Sequence, residues 1–173
     1  DLSENIRSVL DSRRRSGLHI GAFALYGYRK DPDHKGRLLV DEEAAAVVRE
    51  VYRLFSQGWG KSAIARSLND RGVPNPTAYK RLKGLRYRQP RGNGGGLWTS
   101  AAVASMLRNE MYAGVMVQGR YGSVSYKARG TRARPRETWY RVEGALPAVV
   151  TREVWEQVQA MLEQRARPFI ACG

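Results

Sequence analysis

The stretch GWGKSAIARSLNDRG, residues 58–72, decides the fold because it places a short helix between two glycine turns. Ile64 and Leu68 lie four residues apart and supply most of the apolar surface of this helix. An isolated helix of this length is marginal in water, so it needs neighbouring helices to cover that surface. The pattern predicts a helix over 61–71 that is capped by Ser62 and packs across the helix before it.

The sequence on either side of this stretch predicts the neighbouring helices. Asp41 is a good N-cap for a helix that runs to about Gln57 and carries a wide apolar stripe. A third helix is expected over 100–108, with Thr99 or Ser100 as its cap. Three short helices with a tight glycine turn are typical of helix-turn-helix DNA readers, although many proteins that never touch DNA have them too.

The rest of the chain predicts an α+β fold, in which a small tri-helical core of helix-turn-helix type carries a β-hairpin or small antiparallel sheet and flanking terminal helices. The outer predicted elements are a helix over 2–16 ended by Gly17, a loop over 18–36, a strand over 37–40, an extended exit at 73–76, strands over 111–118 and 138–143, and a last helix over 152–166 capped by Thr151. The two later strands predict a hairpin with a long, basic and mobile tip.

Positive charge is the strongest compositional signal, with 30 Lys and Arg against 16 Asp and Glu and a net charge of +14. Residues 77–96 and 120–141 carry twelve of the fourteen excess charges. This concentration indicates a polyanionic partner, either nucleic acid or an acidic membrane. Two solvated, disordered charge runs are the alternative.

Other features restrict the class of protein. No apolar run approaches the roughly 18 residues of a membrane span, and the single cysteine, Cys172, makes no internal disulfide framework. The chain begins with Asp1, so we expect a piece of a longer cytoplasmic protein.

Catalytic and cofactor signals are weak. His19 and His34 lie in a loop without partners at motif spacing, and the acids at 41–43 fit the start of a helix. The run Gly92–Gly96 lacks the setting of a phosphate-binding loop. We therefore expect no catalytic residue, no metal and no cofactor in this chain.

The helix over 99–108 is the predicted reader of bases, because the last helix of a tri-helical unit usually enters the groove. Its outward candidates are Trp98, Thr99, Ser100, Ser105 and Arg108, although Thr99 and Ser100 could instead be ordinary caps. Lys61 and Ser62 would then lie near phosphate. The basic stretch 77–96 would act as an extended arm, and the basic hairpin tip would grip phosphate elsewhere.

Five stretches follow one another in a specific order: SRRRSG (12–17), GYRKD (27–31), the run from Arg37 to Pro76, WTSAAVASMLRNEMYAGV (98–115) and EGALPAVVTREVWEQVQAML (143–162). In this order they resemble the large serine recombinases, a family of phage integrases and transposon resolvases, over about 1–166. The similarity is to the so-called recombinase domain that follows the catalytic domain in those proteins.

The resemblance implies a domain that binds part of each attachment half-site in double-stranded DNA. It implies that 1–17 ends the helix leaving an upstream catalytic domain and crosses the minor groove, that 18–166 is the DNA-binding domain, and that 167–173 leads toward a zinc ribbon. The nucleophilic serine would lie upstream, and the bacterial or phage protein would act as a dimer on each site and a tetramer in the synapse. The expected DNA contacts are Arg13, Arg14, Arg15, Tyr28, Lys30, Lys61, Ser62, Lys80, Arg81, Lys83, Arg86, Arg88, Arg91, Trp98, Thr99, Ser100, Ser105, Arg108, Lys127, Arg129, Arg132 and Arg134.

Two departures and two alternatives accompany this resemblance. Leu25 precedes Tyr26 where family members often have proline, and Cys172 alone cannot form a four-ligand zinc site. An RNA-binding or ribosome-associated protein is one alternative, although the aromatic strands of RNA-recognition modules are missing. A stand-alone helix-turn-helix transcription regulator is the other, although no heptad seam supplies a dimer interface.

Overall fold

The structure, a computed structural model, describes residues 2–85, 96–125 and 128–166. The α+β class predicted from the sequence is confirmed. The described helices are α1 (Leu2–Arg15), α2 (Glu42–Ser56), α3 (Lys61–Asp70), α4 (Pro76–Leu82), α5 (Ser100–Arg108) and α6 (Arg152–Ala166). The described strands are β1 (Tyr28–Lys30), β2 (Leu38–Val40), β3 (Val115–Gln118), β4 (Tyr121–Ser125), β5 (Ala128–Ala133) and β6 (Tyr140–Glu143), and short 3-10 helices span Glu110–Ala113 and Arg136–Thr138.

The strands form three separate antiparallel pairs, β1 with β2, β3 with β6, and β4 with β5. In the pair predicted from the sequence, Val115 lies opposite Glu143 and Gln118 opposite Tyr140. The connection between these two strands was expected to be one long tip, but it contains the β4–β5 ladder, with an irregularity between Ser123 and Ser125. Pairing satisfies the backbone groups of a connection that would otherwise depend on water for its hydrogen bonds.

The chain divides into two compact units. We call Asp1–Ala46 with Glu110–Thr151 the sheet unit, and Val47–Asn109 with Arg152–Gly173 the helical unit. Tyrosines tie the sheet unit together: the hydroxyl of Tyr28 lies 3.0 Å from the carbonyl oxygen of Met111, and that of Tyr112 donates to the carbonyl of Tyr26 at 2.7 Å. Because these hydroxyls satisfy buried backbone carbonyls, the loop before β1 is held against the 3-10 helix that precedes β3.

Apolar side chains of α2, α3, α5 and α6 form the core of the helical unit. Fully buried members include Phe55, Ile64, Leu68, Leu107 and Val158. Burial of each such side chain contributes about 1.5–3 kcal/mol, so the short α3 gains its stability from packing. The close backbone approach of α3 is to α5, and the packing of α3 across α2 expected from the sequence stays a prediction.

Two local predictions were wrong. Gly60, and not Ser62, is the N-cap of α3, and it makes no side-chain capping bond. Glycine is an acceptable N-cap. The helix therefore begins at Lys61, two residues earlier than a helix capped by Ser62 would begin. The extended exit at 73–76 ends in a helix, because the side-chain oxygen of Asn75 accepts the N–H of Ala78 at 2.8 Å and Pro76 occupies the first helical position.

Two strand boundaries also differ from the prediction. β1 lies inside the stretch expected to be a loop, and a three-residue strand is too short to show alternation. The expected strand over 111–118 begins as the 3-10 helix Glu110–Ala113 and becomes β3 only after Gly114, whose φ is 90°. A positive φ at this position breaks the strand pattern and favours glycine.

Candidate nucleic-acid interface

The start of α5 has the polar groups that the sequence analysis expected there. The hydroxyl of Thr99 accepts the N–H of Ala102 at 3.1 Å and so caps the helix. Thr99, Ser100 and Ser105 are exposed. Arg108, also exposed, stands in the last turn without an ion pair to any described residue. Thr99 therefore has the capping role that was left open, while Ser100, Ser105 and Arg108 are accessible to a ligand.

Trp98 does not belong to this accessible face. It is 3% exposed, and its indole Nε1 donates to the carbonyl of Val73 at 3.1 Å. The amide of Asn69 accepts the backbone N–H of Trp98 at 2.7 Å and donates to its carbonyl at 2.9 Å. The ring is part of the core that joins the end of α3 to the start of α5, and the DNA contact at Trp98 stays a prediction that this burial does not favour.

The other end of α5 is also fixed by side chains. The hydroxyl of Tyr52 lies 2.8 Å from the carbonyl oxygen of Met106, and Gln159 of α6 donates to the carbonyl of Leu107 at 2.6 Å. The last carbonyls of a helix have no intrahelical partner, so these bonds satisfy groups that would otherwise be exposed or orphaned. α5 is thus held at both ends within the helical unit, with its outer polar face open.

α3 presents a second polar face in the same unit. Lys61 is half-buried at the helix start, and Ser62 is exposed one residue later. Arg66 is exposed and makes no ion pair with a described residue, so it is a candidate that sequence reasoning missed. Its spacing of four residues from Ser62, which places both on one helix face, was the available signal. Arg71, by contrast, is paired with Glu50 at 2.8 Å.

Three cations of the predicted basic arm lie in or just after α4. Lys80 is half-buried, and desolvation lowers its pKa. Arg81 is exposed, and the Lys83 ammonium lies 5.3 Å from the centroid of the Tyr79 ring. The arm predicted over 77–96 therefore starts as a helix. Arg86, Arg88 and Arg91 lie outside the described residues.

The arginine cluster of α1 divides into different environments. Arg14 pairs with Asp11 at 3.1 Å and stacks over the Tyr140 ring at 5.7 Å. Arg15 is exposed and Arg13 is half-buried, neither with an ion pair to a described residue. Arg14 is thus engaged in holding α1 to β6, while its two neighbours are available to a ligand.

The two DNA contacts predicted in β1, Tyr28 and Lys30, differ in their exposure. Tyr28 is 5% exposed, and its hydroxyl lies 2.8 Å from the carbonyl oxygen of Pro147. The side chain is part of the core, and the DNA contact at Tyr28 stays a prediction that this burial does not favour. Lys30, two residues later, is exposed.

The basic hairpin likewise contains both accessible and engaged cations. Arg132 is exposed. Arg134 lies over the Tyr140 ring at 5.8 Å and donates to the carbonyl of Thr138 at 3.2 Å. Arg129 lies in β5, and Lys127 lies outside the described residues. Arg132 is therefore a better candidate for phosphate contact than Arg134, whose guanidinium already has partners.

One cavity of the sheet unit brings predicted and unpredicted cations together. Arg13 and Lys30 line it with Lys35 and Arg37, which sequence reasoning missed. The density of basic residues in YRKDPDHKGR, residues 28–37, was the available signal. Within the described ranges no group of three or more metal-ligating side chains comes together. No helix there is long and apolar enough to cross a bilayer.

Comparison with known proteins places the chain among recombinases. The Recombinase family model matches residues 42–165. A curated protein named "Putative DNA recombinase", from Bacillus subtilis (strain 168), is 29% identical over 182 residues, covering 98% of this chain and 33% of the relative. The chain thus spans about a third of the length of that relative.

Two solved structures are also similar. The crystal structure of "a LSR-DNA Complex" is 20% identical, covers 91% of this chain and 38% of its own, and aligns with a TM-score of 0.52. A likeness at this identity shows a shared fold. A chain from work on the "Listeria innocua prophage attP site" is 22% identical and covers 91% of this chain and 52% of its own. Its TM-score of 0.47 is too low to establish a shared fold.

Proposed function

The chain belongs to the Recombinase family, and from that premise we propose that it is a sequence-specific double-stranded DNA-binding module of a site-specific serine recombinase. It binds part of an attachment half-site and contains no catalytic residue. The whole protein cuts and rejoins DNA through a serine in a separate domain, as a dimer on each site and a tetramer in the synapse. The domain limits at residues 17 and 166 are part of this proposal.

The observation that carries the proposal is the match to the family over 42–165, which includes the packed pair α3 and α5. The outer face of α5 offers hydroxyls at Ser100 and Ser105 and a guanidinium at Arg108. Hydroxyls and arginine are suited to phosphate and to base edges in the major groove. Lys61, Ser62 and Arg66 on α3 would contact the backbone, together with the cations of α4 and of the hairpin.

The test is a selection of bound duplexes from a random pool, carried out with this chain at physiological salt. An enriched, asymmetric half-site motif is expected. Structured RNA serves as competitor, and duplex DNA should win at equal nucleotide concentration. Tight binding without an enriched motif, or preference for the RNA, would overturn the proposed function.

A pair of arginines tests where sequence is read. Arg108→Ala should weaken binding to the selected site more than to random duplex, because a base-reading contact is worth about 1–3 kcal/mol on the correct base. Arg132→Ala should weaken both to the same degree, since a phosphate contact carries no sequence information. Titration of each variant against both duplexes gives four affinities, and each is compared with the affinity of the parent for the same duplex. Equal losses for the two variants would mean that α5 is not the reading helix.

A further inference from the structure

The cavity of the sheet unit is lined by four cations, Arg13 of α1, Lys30 of β1, and Lys35 and Arg37 of the turn before β2. Its volume is about 580 Å³. None of the four makes an ion pair with a described residue. Four unpaired cations around one concave surface repel one another, and an anion that entered the cavity would relieve this repulsion.

The one carboxylate of the lining, Asp31, offsets only one of the four positive charges, so the lining keeps an excess of positive charge. Asp31 accepts the backbone N–H of Asp33 at 2.9 Å and pairs with His34 at 3.2 Å. These hydrogen bonds lower the pKa of Asp31, the backbone bond contributing most. The carboxylate thus fixes the turn that presents Lys35 and Arg37.

The cavity is built from a fixed backbone. The side-chain amide of Gln118 accepts the N–H of Ile20 at 3.0 Å and donates to the carbonyl of Leu18 at 2.7 Å. Between these residues, the N–H of His19 donates to the carbonyl of Gly36 at 2.8 Å. The turn is therefore joined to the segment after α1, and both are joined to β3, so the cations stand on a preorganised surface.

The lining is apolar as well as cationic, and this favours one source of the anion. Leu10, Leu18 and Ile20 contribute alkyl groups beside the charges. A free inorganic anion has no apolar part to place against them. The backbone of DNA has both parts, a phosphate for the cations and a deoxyribose for the alkyl groups, and backbone contacts to phosphate and sugar commonly orient a protein on a duplex.

We propose that this cavity, lined by Arg13, Lys30, Lys35 and Arg37, is a seat for a phosphate and its sugar in the backbone of duplex DNA. The inference rests on the proposed function and adds to it a contact outside the helical unit. Because a backbone seat carries no sequence information, it sets position and affinity without changing which site is preferred.

The test compares two variants that lose the same charge. Lys35→Gln with Arg37→Gln removes two cations of the cavity, and Arg29→Gln with Arg53→Gln removes two exposed cations that do not line it. Affinity for the selected site and for random duplex is measured between low and physiological salt. Each phosphate contact contributes roughly −0.9 to the slope of log affinity against log salt. For the cavity variant this slope should be less steep by about one phosphate contact on both duplexes. The control should keep the slope of the parent.

His19 supplies a second measurement on the unaltered chain. His19 is one of the residues that line the cavity, and its Nε2 lies 3.0 Å from the carbonyl oxygen of Phe23. The chain has only two histidines, so the His19 NMR signal is readily assigned. Duplex DNA should shift the His19 signal, and the cavity variant should reduce that shift. Inorganic phosphate at the same phosphate concentration should shift it little.

The outcomes separate the two proposals. If no form of the chain binds duplex DNA, the proposed function fails and this inference fails with it. If the parent reads a half-site but the cavity variant behaves as the control does, or the His19 signal does not move, the cavity proposal alone is wrong. A response to inorganic phosphate as strong as to duplex would overturn the assignment to the DNA backbone.

Discussion

Asn69 joins the two helices of the candidate reading pair through a single side chain. The oxygen of its side-chain amide accepts from the N–H of Trp98, and the nitrogen donates to the carbonyl of Trp98. Asn69→Leu would leave both backbone groups without these partners in a partly buried setting. A buried group left unpaired costs about 1–3 kcal/mol. We therefore expect the free energy of unfolding to fall by about 2 kcal/mol or more, measured by urea titration.

Two further substitutions separate the hydrogen bonds of Asn69 from the general effect of mutation. Asn69→Asp keeps an acceptor for the Trp98 N–H but loses the donor to its carbonyl, so an intermediate loss of stability is expected. Asp70→Ala changes the exposed neighbour and should stay within about 0.5 kcal/mol of the parent. An Asn69→Leu variant as stable as the parent would show that the paired bonds contribute no net stability.

Trp98 also shows what sequence reasoning missed at the scale of single residues. Tryptophan is amphipathic, and a position just before a helix N-cap suits either a ligand contact or a core contact. Its burial depends on Asn69 and Val73, which lie 29 and 25 residues earlier in the chain. Pairings at that separation leave no local periodicity. The burial of Tyr28 has the same origin, since its hydroxyl partner at Pro147 is 119 residues away.

At the scale of elements, α5 depends on two other helices to satisfy its last carbonyls. The carbonyl of Leu107 accepts from Gln159 at 2.6 Å, and at 3.2 Å it shares the single hydroxyl proton of Tyr52 with the carbonyl of Met106, which lies 2.8 Å from that hydroxyl. Gln159→Met should cost about 1 kcal/mol, because one of the two bonds remains. The double variant with Tyr52→Phe should lose more than the sum of the single losses, since the carbonyl then has neither partner. Urea unfolding of the parent, the two single variants and the double variant gives the coupling energy between the two side chains.

Gln157 gives a matched control for this cycle, because it is a glutamine of the same helix that is exposed. Gln157→Met should leave the stability close to that of the parent, since it removes no buried hydrogen bond. Strict additivity between Gln159→Met and Tyr52→Phe would contradict the view that both side chains serve one carbonyl.

Elements with strong local signals could be predicted from the sequence, and elements with conflicting signals could not. α5 and α6 lie where their apolar spacing placed them, and α5 begins after the cap offered by Thr99. The chain leading into α4 contains Pro74, and the helix itself begins at Pro76; each proline favours an extended chain at the residue before it. The same Pro76 also fits the first position of a helix, and Asn75 decides between the two by capping it. Whether the chain is helical or extended at Pro76 therefore depends on whether Asn75 forms this cap.

At the scale of the whole molecule, the ordered set of motifs was more informative than any single element. The family resemblance is confirmed by the match over 42–165. The charge pattern predicted an anionic partner but not which cations would be available to it. Arg14, Arg134 and Arg141 were counted with the rest of the basic residues, yet each is engaged by a carboxylate or an aromatic ring. Such partners come from the tertiary fold, so composition alone cannot separate engaged cations from accessible ones.

The salt dependence of DNA binding should therefore reflect the accessible cations rather than the net charge. Both arginines are exposed, but Arg141 pairs with Glu110 at 2.6 Å and with Glu143 at 3.2 Å, whereas Arg132 makes no ion pair with a described residue. Arg132→Gln and Arg141→Gln remove the same formal charge. We expect Arg132→Gln to reduce the slope of log affinity against log salt by about 1 and Arg141→Gln to leave it nearly unchanged. The measurement is a set of titrations with random duplex at several salt concentrations, with unfolding curves to show that both variants fold. Equal reductions would mean that net charge alone drives binding, and an affinity insensitive to salt would contradict phosphate neutralisation altogether.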